Sequence, residues 1–463
     1  MNKKTAKIPV ISPATGELAK MYGDSTLGLT SPVNIDELRA LVEEAARGNF
    51  TLHMHGFGLS GKRSYKNVVI VDLSAMNKII EVNNKSGYAL LEPGVTYQQL
   101  YQYLQENDTG LWIDCDRNGQ NSVAASIAAH EFGYTAYGDH MMMQCGVEVM
   151  LADGELTRLG MGAMPGSNTW QLAKYAIGPY IDGLFTQSDL GVITKIGVWL
   201  MPAPPAYKPF MLSLRGQDDI AAAVEILRDL KINVIVPNSV VISNALLDAA
   251  PYIKKDEYLT ESGLDIEKIK ADKNLGEWNL YGALYNTPDN VDVLWPMVSG
   301  ALSSIDGSSL FTDDNRKDEQ VWTAREGLMR GIPADGFDNL NSWQGEYRCD
   351  IGIACPPSGE DVLQLNAIVG ETLEKYKISN LSECVAGWRS IIKRNYFLFD
   401  DDEREKTEKC VNEVIKNAAE KGFSLSHNST NHPDMKISYD TNEGMSILQK
   451  RLKAALDPQQ VLA

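Results

Sequence analysis

Three closely spaced glycines follow a short apolar segment in the stretch HMHGFGLSGKR, which runs from His53 to Arg63. Gly56, Gly58 and Gly61 match the dinucleotide-binding spacing G-x-G-x-x-G, and they nearly match the phosphate loop G-x-x-x-x-G-K followed by serine or threonine. Glycines at such positions let backbone N–H groups approach a pyrophosphate closely. Arg63 stands where a phosphate loop needs a hydroxyl for magnesium, so the second motif is incomplete.

The flanking elements test these motifs, because both require a strand before the loop and a helix after it. Residues 49–54 alternate as a strand does. The β-branched run at 68–72 begins too soon after the loop for a helix to intervene. We therefore predict a glycine-rich loop between two strands, which serves either as a pyrophosphate cradle or as a plain tight turn.

Histidine and cysteine positions give no metal motif. His53 and His55 lie two residues apart and share one face of the predicted strand, where we interpret them as ordinary strand histidines. The six cysteines are scattered without a C-x-x-C pair, which favours reduced thiols over a zinc site or a disulfide framework. We expect no metal ion in this protein.

The composition is typical of a soluble globular protein long enough for two or three domains. Its 463 residues are 44% hydrophobic and carry a net charge of −18. The absence of a dense basic patch argues against nucleic acid and against an anionic membrane surface as partners. No apolar run approaches the roughly 18 residues that span a bilayer, and the basic N-terminus lacks the apolar segment of a signal peptide. We therefore expect a cytoplasmic protein.

Helix and strand signals alternate in the first part of the chain. Asn34 precedes a helix whose apolar residues share one face, and Thr96 begins another helix. Strands are predicted at 88–92 and 146–151. The small residues at 121–133 indicate either a tightly packed helix or a close approach to a ligand.

A proline-rich break at residues 202–205 separates this part from the rest and marks a domain boundary. Beyond it we predict an amphipathic helix at 220–230, a strand at 233–236 and a further helix at 411–419. Short strands mixed with helices, rather than long βαβ repeats, indicate an α+β fold.

Four blocks of the chain resemble, in order, the flavoprotein family of vanillyl-alcohol oxidase and para-cresol methylhydroxylase. They are EVNNKSGYALLEPGVTYQQLYQYL, GYTAYGDHMMMQCGVEVMLADGELTRLGMGAMPGSNTW, GPYIDGLFTQSDLGVITKIGVWLMP and LDPQQVLA. Together they cover most of residues 25–205 and the C-terminal segment, whereas the middle third matches only loosely. Long blocks in a fixed order are far more specific than a lone glycine motif.

The resemblance implies an α+β, two-domain FAD-binding fold of this family's type with an α+β cap domain. Residues 1–205, completed by 411–463, would bind FAD, and residues 206–410 would form the cap over the isoalloxazine ring. The substrate would lie between the domains. The FAD contacts implied by the resemblance are His55, Gly56, Phe57, Gly58, Leu59, Ser60, Pro93, Gly119, Asn121, Ser122, Ser126, Tyr134, Gly191, Val192 and Ile193.

The chain departs from the family's phenol oxidases at the positions that bind the phenol. Those enzymes use two tyrosines and an arginine, and the matching positions here are Phe57, Ser426 and His427. Phenylalanine cannot hydrogen-bond a phenolate, and neither serine nor neutral histidine replaces a fixed cation. We expect these phenol contacts to be lost and the substrate to be bound by Phe57, Ser426 and Tyr396.

A fourth departure concerns the acidic residue that this family places near flavin N5. Arg117 occupies the matching position, and Asp116 precedes it. An arginine there would stabilise an anionic reduced flavin or bind a substrate carboxylate. A shift of one residue would bring Asp116 to the ring instead. We favour Arg117, and we count both residues as catalytic candidates.

Covalent attachment of the flavin is not expected. Vanillyl-alcohol oxidase has a histidine before a strand of its cap, and Arg348 stands at the matching position here. Tyr347 and Cys349 are alternative attachment points. We predict dissociable FAD.

Our leading hypothesis is an FAD-dependent oxidase or dehydrogenase that takes a hydride from a small, non-phenolic substrate in specialised metabolism. His427 is the candidate acid or base, because histidine titrates near neutral pH, and the alternative role is a structural hydrogen bond. Asp139 and His140 are expected to hold a loop. The competing hypotheses are a phenol oxidase that uses Tyr396 or Tyr347, and a catalytically decayed flavoprotein subunit.

The electron acceptor and the oligomeric state follow only from the resemblance. A cytochrome partner would imply an exported protein. Because we expect a cytoplasmic protein, we favour molecular oxygen or a soluble acceptor. Family relatives often form dimers, which predicts a homodimer.

Overall fold

The computed structural model contains helices and strands in both halves of the chain, which confirms the α+β prediction. The structure describes residues 8–13, 15–22, 26–48, 50–57, 67–261, 263–316, 319–334 and 340–463. Three predicted cofactor contacts, Gly58, Leu59 and Ser60, lie outside these ranges. Within the ranges, every helix is too short or too polar to traverse a lipid bilayer.

Helices and strands are numbered separately in chain order. The α-helices are α1 Gly16–Tyr22, α2 Ile35–Ala46, α3 Tyr97–Glu106, α4 Val123–Ala128, α5 His140–Met143, α6 Gln217–Ile232, α7 Ala245–Ala249, α8 Ile266–Lys273, α9 Pro288–Leu302, α10 Asp313–Arg316, α11 Gln320–Met329, α12 Leu340–Trp343, α13 Gly359–Tyr376, α14 Arg404–Glu420 and α15 Glu443–Leu456. The strands are β1 Gly28–Thr30, β2 Thr51–Met54, β3 Val68–Val71, β4 Ile79–Asn83, β5 Tyr88–Leu91, β6 Leu111–Trp112, β7 Gln144–Met150, β8 Leu156–Arg158, β9 Val192–Trp199, β10 Met201–Pro202, β11 Ala206–Leu214, β12 Val240–Asn244, β13 Leu259–Thr260, β14 Gly263–Leu264, β15 Trp278–Asn286, β16 Ser309–Phe311, β17 Tyr347–Cys355, β18 Leu381–Ala386, β19 Ile391–Phe399 and β20 Ser424–Thr430.

Two predicted helices are capped by side chains at the residues where the sequence predicts that they begin. The Asn34 side chain accepts a hydrogen bond from the backbone N–H of Glu37 and so caps α2. Thr96 caps α3 in the same way through the N–H of Gln99. Both helices bury the apolar face that the sequence spacing predicts.

A small parallel sheet in the order β1-β3-β2 holds the strands on both sides of the glycine loop. The two strands predicted there are therefore confirmed. The C-terminus lies beside them, because the N–H of Leu52 donates to the carbonyl of Val461 at 2.8 Å and that of Ala463 donates to the carbonyl of Leu52 at 2.7 Å. An antiparallel sheet in the order β4-β5-β9-β7-β8 shares a buried core with α3 and α4.

The largest sheet, which we call the cap sheet, has eight antiparallel strands in the order β16-β11-β15-β12-β18-β19-β17-β20. Successive side chains of a strand point to opposite faces, and both faces are buried here. Cys384 and Phe397 belong to the core beneath helices α6, α9, α13 and α14. Val385 and Tyr396, on the opposite face, belong to the core that includes α3 and α4. The second face of the cap sheet therefore packs against the first part of the chain.

The predicted return of the chain to the FAD domain at residue 411 stays a prediction. α14 and β20 extend beyond this point, and β20 is the edge strand that pairs with β17 in the cap sheet. We propose on this basis that the cap domain continues to residue 430.

The strand predicted at 233–236 is wrong. Residues after α6 turn instead, and Val234 adopts a left-handed φ of 57°. The N–H groups of Asn233 and Ile235 donate to the carbonyls of Asp229 and Leu230, as happens where a helix ends. These hydrogen bonds use backbone N–H groups that a strand would need for pairing with a neighbouring strand. The β-branched residues at 233–236 therefore misled the prediction.

Candidate functional site

A cleft of about 750 Å³ lies between the first part of the chain and the cap sheet, and we call it the main cleft. On the first side it is lined by Leu18, Met21, His55, Gly56, Phe57, Asp72, Leu73, Ser74, Pro93, Gly94, Thr96, Asp116, Arg117, Asn118, Gln120, Asn121, Ser122, Ala125, Ser126, Ala129, Glu131 and Phe132. On the cap side it is lined by Arg348, Asp350, Arg394, Ser429 and Asn431. The cleft thus joins the glycine loop to the polar face of three cap strands and the residues after them.

Glycines bring the backbone to the edge of the cleft at two places. Gly56 has φ 76°, a conformation that side chains disfavour. A Cβ added to Gly94 would lie 2.5 Å from the carbonyl oxygen of Leu73 and 2.6 Å from that of Ser74. Only glycine therefore fits at Gly94 without movement of the neighbouring backbone. This end of the cleft has the close backbone approach that a dinucleotide cradle requires.

The start of α4 forms the next part of the wall. Ser122 caps α4 through the N–H of Ala125, and its hydroxyl also donates to the carbonyl of Pro93 at 2.5 Å. The Asp116 carboxylate accepts hydrogen bonds from the side chain of Asn121 and the backbone of Asn118. Burial raises the pKa of Asp116, although these hydrogen bonds oppose the shift. Asp116 and Arg117 both line the cleft, so neither points away to solvent.

Arg117 is held by three groups. Its Nε donates to the Tyr134 hydroxyl at 2.7 Å, and its Nη2 donates to Glu383. Its guanidinium lies 4.5 Å from the ring centroid of Tyr396. Glu383 is fully buried, accepts a 2.9 Å hydrogen bond from Tyr396 and lies 3.6 Å from Arg325. Arg117 is therefore a cation with its orientation fixed from the cap sheet.

A second buried network supports the wall from behind. The Nε2 atom of His140 lies 2.7 Å from Asp114, and its Nδ1 atom lies 3.1 Å from the Ser126 hydroxyl and 3.2 Å from that of Tyr97. Burial lowers the pKa of His140, but Asp114, together with Asp116 and Glu131, raises it more, so the net shift is upward. A side chain at Gly133 would collide with Asp114. The network thus fixes Ser126, which lines the cleft.

Glu131 projects from the loop after α4 towards the cap sheet. The preceding residue, His130, has φ 57°, which is a strained conformation for a residue with a side chain. Glu131 accepts a 2.6 Å hydrogen bond from Arg394, and its other oxygen lies 3.3 Å from Nε2 of His427. Burial raises the pKa of Glu131, but Arg394 and His427 lower it further, so the carboxyl group is an anion.

His427 lies beside Glu131 and is largely buried. Burial lowers the pKa of His427 more than Glu131 raises it, which favours a neutral ring near pH 7. It lies on β20 opposite Gly352 of β17 and does not line the main cleft among the described residues.

Several predicted contacts lie elsewhere. Ser426 is exposed, and its hydroxyl donates to the carbonyl of Gly352. The Tyr396 ring lies between the guanidinium groups of Arg117 and Arg348, at 4.5 and 5.1 Å. Neither Ser426 nor Tyr396 lines the described part of the main cleft. Ser429 lies opposite Asp350 and lines the cleft, whereas Ser426 falls at an irregularity in the pairing of β20 with β17 and has no partner residue there.

Some predicted cofactor contacts also lie away from the main cleft. Tyr134 is buried against Arg117, and burial raises its pKa to about 12. A Cβ at Gly119 would lie 2.9 Å from Pro333, so this glycine serves a tight packing contact. Residues 191–193 line a separate cavity of about 20 Å³ together with Phe57. By contrast, the predicted contact His55 does line the main cleft, and its Nδ1 atom lies 2.8 Å from the Tyr22 hydroxyl.

Comparison with known proteins identifies the fold. Residues 27–160 match the family model described as FAD binding domain. The chain is 34% identical over 410 residues to the 4-cresol dehydrogenase (hydroxylating) flavoprotein subunit of Pseudomonas putida, an alignment that covers 85% of this chain and 78% of the relative. The chain belongs to the vanillyl-alcohol oxidase and para-cresol methylhydroxylase family. It is therefore an FAD-dependent oxidoreductase, as predicted.

Two solved structures of this family are similar over nearly the whole chain. The structure of p-cresol methylhydroxylase with substrate bound has a TM-score of 0.88 at 30% identity, and the match covers 96% of this chain and 89% of the other. The 4-ethylphenol oxidase from Gulosibacter chungangensis in its isoeugenol complex has a TM-score of 0.87 at 28% identity, covering 96% and 90%. The two-domain fold implied by the sequence resemblance is confirmed.

The sequence interpretation missed the cap residues Asp350 and Arg394, and it missed Glu131. A signal was present, because IIKRNYFLF places two cations inside an apolar strand and RCD places Arg348 and Asp350 on one face. Charged residues in a buried strand require partners, which indicates a site. Glu131 had no such signal, because its direction depends on the turn at His130.

The position that matches the family's flavin-attachment histidine lies in the cleft, whereas the two alternative attachment points lie elsewhere. Arg348 lines the cleft and forms two hydrogen bonds with Asp350, at 2.6 and 2.7 Å. Cys349 is fully buried in the core on the opposite face of the cap sheet. Tyr347 contacts the rings of Phe399 and His432.

Proposed function

We propose that this FAD-dependent oxidoreductase oxidises a small, non-phenolic substrate held at the cap end of the main cleft. The observation that carries the proposal is the polarity of this end, which is formed by Glu131, Arg348, Asp350, Arg394 and Ser429. An alkylphenol would need an apolar pocket with few polar contacts. The three positions that match the family's phenol contacts also lack the tyrosines and the arginine.

The cleft residues fit FAD. Gly56 and Gly94 allow backbone to approach a pyrophosphate, and Ser122 presents the N-terminal end of α4. The volume of about 750 Å³ lies within the range of small-molecule and cofactor sites. Bound FAD supplies the redox chemistry by accepting a hydride at N5. The protein then has to orient the substrate and exclude competing groups.

Arg117 supplies a fixed positive charge to the cleft wall. Because Tyr134 and Glu383 hold its guanidinium, the charge needs little reorganisation when negative charge develops nearby. Asp116 retains its place as the second candidate for contact with the ring. Its raised pKa leaves it more basic than an ordinary aspartate, which suits proton transfer.

His427 acts through Glu131 in this proposal. A neutral histidine with its proton on Nε2 donates to Glu131, which stabilises the carboxylate that faces the cleft. Glu131 can then accept a hydrogen bond from a substrate hydroxyl or amine. Because Arg394 opposes protonation of Glu131, we expect Glu131 to orient the substrate rather than to remove a proton from it.

A phenol oxidase with altered contacts is the second candidate, because two similar proteins are named for 4-cresol and 4-ethylphenol. Tyr396 would be the phenol contact in that case. Its hydroxyl is already bonded to Glu383, and its ring lies between two guanidinium groups. This geometry favours the non-phenolic proposal.

We propose further that FAD is dissociable, that the acceptor is oxygen or a soluble carrier, and that the enzyme is a cytoplasmic homodimer of specialised metabolism. Arg348 at the attachment position and the burial of Cys349 support dissociable FAD. The homodimer and the choice of acceptors rest on the family resemblance.

The test is anaerobic bleaching of the flavin absorbance by two matched panels. One panel contains 4-ethylphenol and 4-cresol, and the other contains non-phenolic alcohols, amines and hydroxy acids. The proposal predicts bleaching only by members of the second panel. Bleaching by the phenols at comparable rates would support the second candidate, and reduction by dithionite alone would favour a decayed flavoprotein.

A further inference from the structure

Arg394 places a buried guanidinium on the cap wall of the main cleft. It lies on β19, between Gly352 of β17 and Glu383 of β18. The residue is 8% exposed and lines the cleft. A charged group in this position is costly unless its hydrogen-bonding capacity is used.

Within the described part of the chain, Arg394 uses few of its hydrogen-bond donors. A guanidinium carries five N–H donors. Among the described residues, Arg394 donates a single hydrogen bond, from Nη2 to Glu131 at 2.6 Å, and its buried Nε has no acceptor. By contrast, Arg348 donates twice to Asp350, and Arg117 donates to both Tyr134 and Glu383.

Glu131 forms an ion pair with Arg394 through one carboxylate oxygen, and its other oxygen lies 3.3 Å from Nε2 of His427. Burial lowers the pKa of Arg394, but Glu131 and Glu383 raise it more, so the group stays a cation. A ligand that brings two acceptor oxygens, as a carboxylate does, would use the remaining N–H donors of this cation.

Other residues of the main cleft can hold the rest of such a ligand. Ser429, on β20 two strands away from β19, and Asn431, which follows β20, also line the cleft and offer hydrogen bonds. The Phe132 ring, whose centroid is 6.0 Å from the guanidinium carbon, offers an apolar surface. We propose that Arg394 binds a carboxylate of the substrate, so that the enzyme acts on a small carboxylic acid. This inference rests on the proposed function, and the carboxylate anchors the substrate without reacting.

The test is a titration of the FAD-loaded enzyme with acetate, lactate and benzoate, followed by the change in the visible flavin spectrum. Acetamide, lactamide and benzamide are the matched neutral probes. We expect at least one acid to perturb the spectrum with saturation, and its amide to bind at least tenfold more weakly. Absence of a response to every acid, or equal binding of acid and amide, would overturn the proposal.

Two variants and a control assign the effect to Arg394. R394Q should weaken binding of the responsive acid at least tenfold, and R394K should retain part of the affinity because it keeps the charge. Arg228→Gln, on helix α6 away from the cleft, should bind the acid like the wild type. R394K serves as the test if R394Q does not fold. Unchanged acid binding in both variants would refute the assignment.

The affinity for FAD separates this inference from the proposed function. FAD binding by R394Q, measured by fluorescence quenching, should stay within twofold of the wild type. If FAD affinity falls as steeply as acid affinity, Arg394 serves the cofactor and the carboxylate proposal fails while the flavoenzyme stands. If the wild-type protein takes up no FAD at all, the proposed function fails first.

Discussion

Glu383 is the buried carboxylate that joins Arg117 at the cleft wall to the interior of the cap sheet. It accepts hydrogen bonds from Arg117 and Tyr396, and its second oxygen lies 3.6 Å from Arg325. Glu383→Gln keeps the shape and the hydrogen bond from Tyr396 but removes the anion. Breaking a buried ion pair by removing one partner costs about 3–5 kcal/mol. Since glutamine still accepts a hydrogen bond, we expect a loss of about 3 kcal/mol.

The assay is urea unfolding followed by tryptophan fluorescence, with FAD in large excess so that cofactor loss does not dominate the result. The control is Glu420→Gln, whose carboxylate lies 3.9 Å from Lys416 on the exposed face of α14 and should have no measurable effect. A double-mutant cycle with Arg117→Met should give a coupling energy of about 0.5–3 kcal/mol. An E383Q effect no larger than that of E420Q, or additivity with R117M, would refute the role of Glu383.

Two further predictions concern the cradle and the histidine. Gly94→Ala should weaken FAD binding about tenfold or more, because the added Cβ would collide with the carbonyl of Leu73. The control Gly370→Ala, in open space on α13, should leave the FAD affinity unchanged. Equal affinities of the two variants in a fluorescence titration would contradict the cradle. Because the pKa of His427 is lowered in the folded protein, His427 becomes protonated in the unfolded chain at a higher pH than in the folded one. The wild type should therefore lose stability as the pH falls below about 6.5, and His427→Gln should lack this loss. The stability difference between H427Q and wild type, measured by urea unfolding at several pH values, should therefore narrow towards acid pH, and a constant or widening difference would refute the burial argument.

Local sequence patterns predicted the elements that depend on neighbouring residues. Asn34 and Thr96 begin their helices, and the strands on both sides of the glycine loop are present, because caps and strand alternation are short-range effects. The strand at 233–236 failed because the end of α6 overrode the propensity of its β-branched residues.

The candidate site was more predictable in the first part of the chain, where the family resemblance is strongest. Gly56, Pro93, Asp116, Arg117 and Ser122 line the cleft, and their contacts with FAD and substrate stay a prediction. The cap wall was not predictable in the same way, because the family match is loose in the middle third and the facing of each residue depends on strand register. The irregular pairing at Ser426, where β20 shifts its register against β17, could not be read from strand alternation.

The visible spectrum of the purified protein, before and after acid precipitation, tests most directly that the main cleft holds dissociable FAD. We expect a yellow protein whose flavin absorbance passes into the supernatant. Absorbance that stays with the pellet would contradict dissociable FAD and indicate a covalent link. A colourless protein that takes up no added FAD would contradict the assignment of the cleft itself.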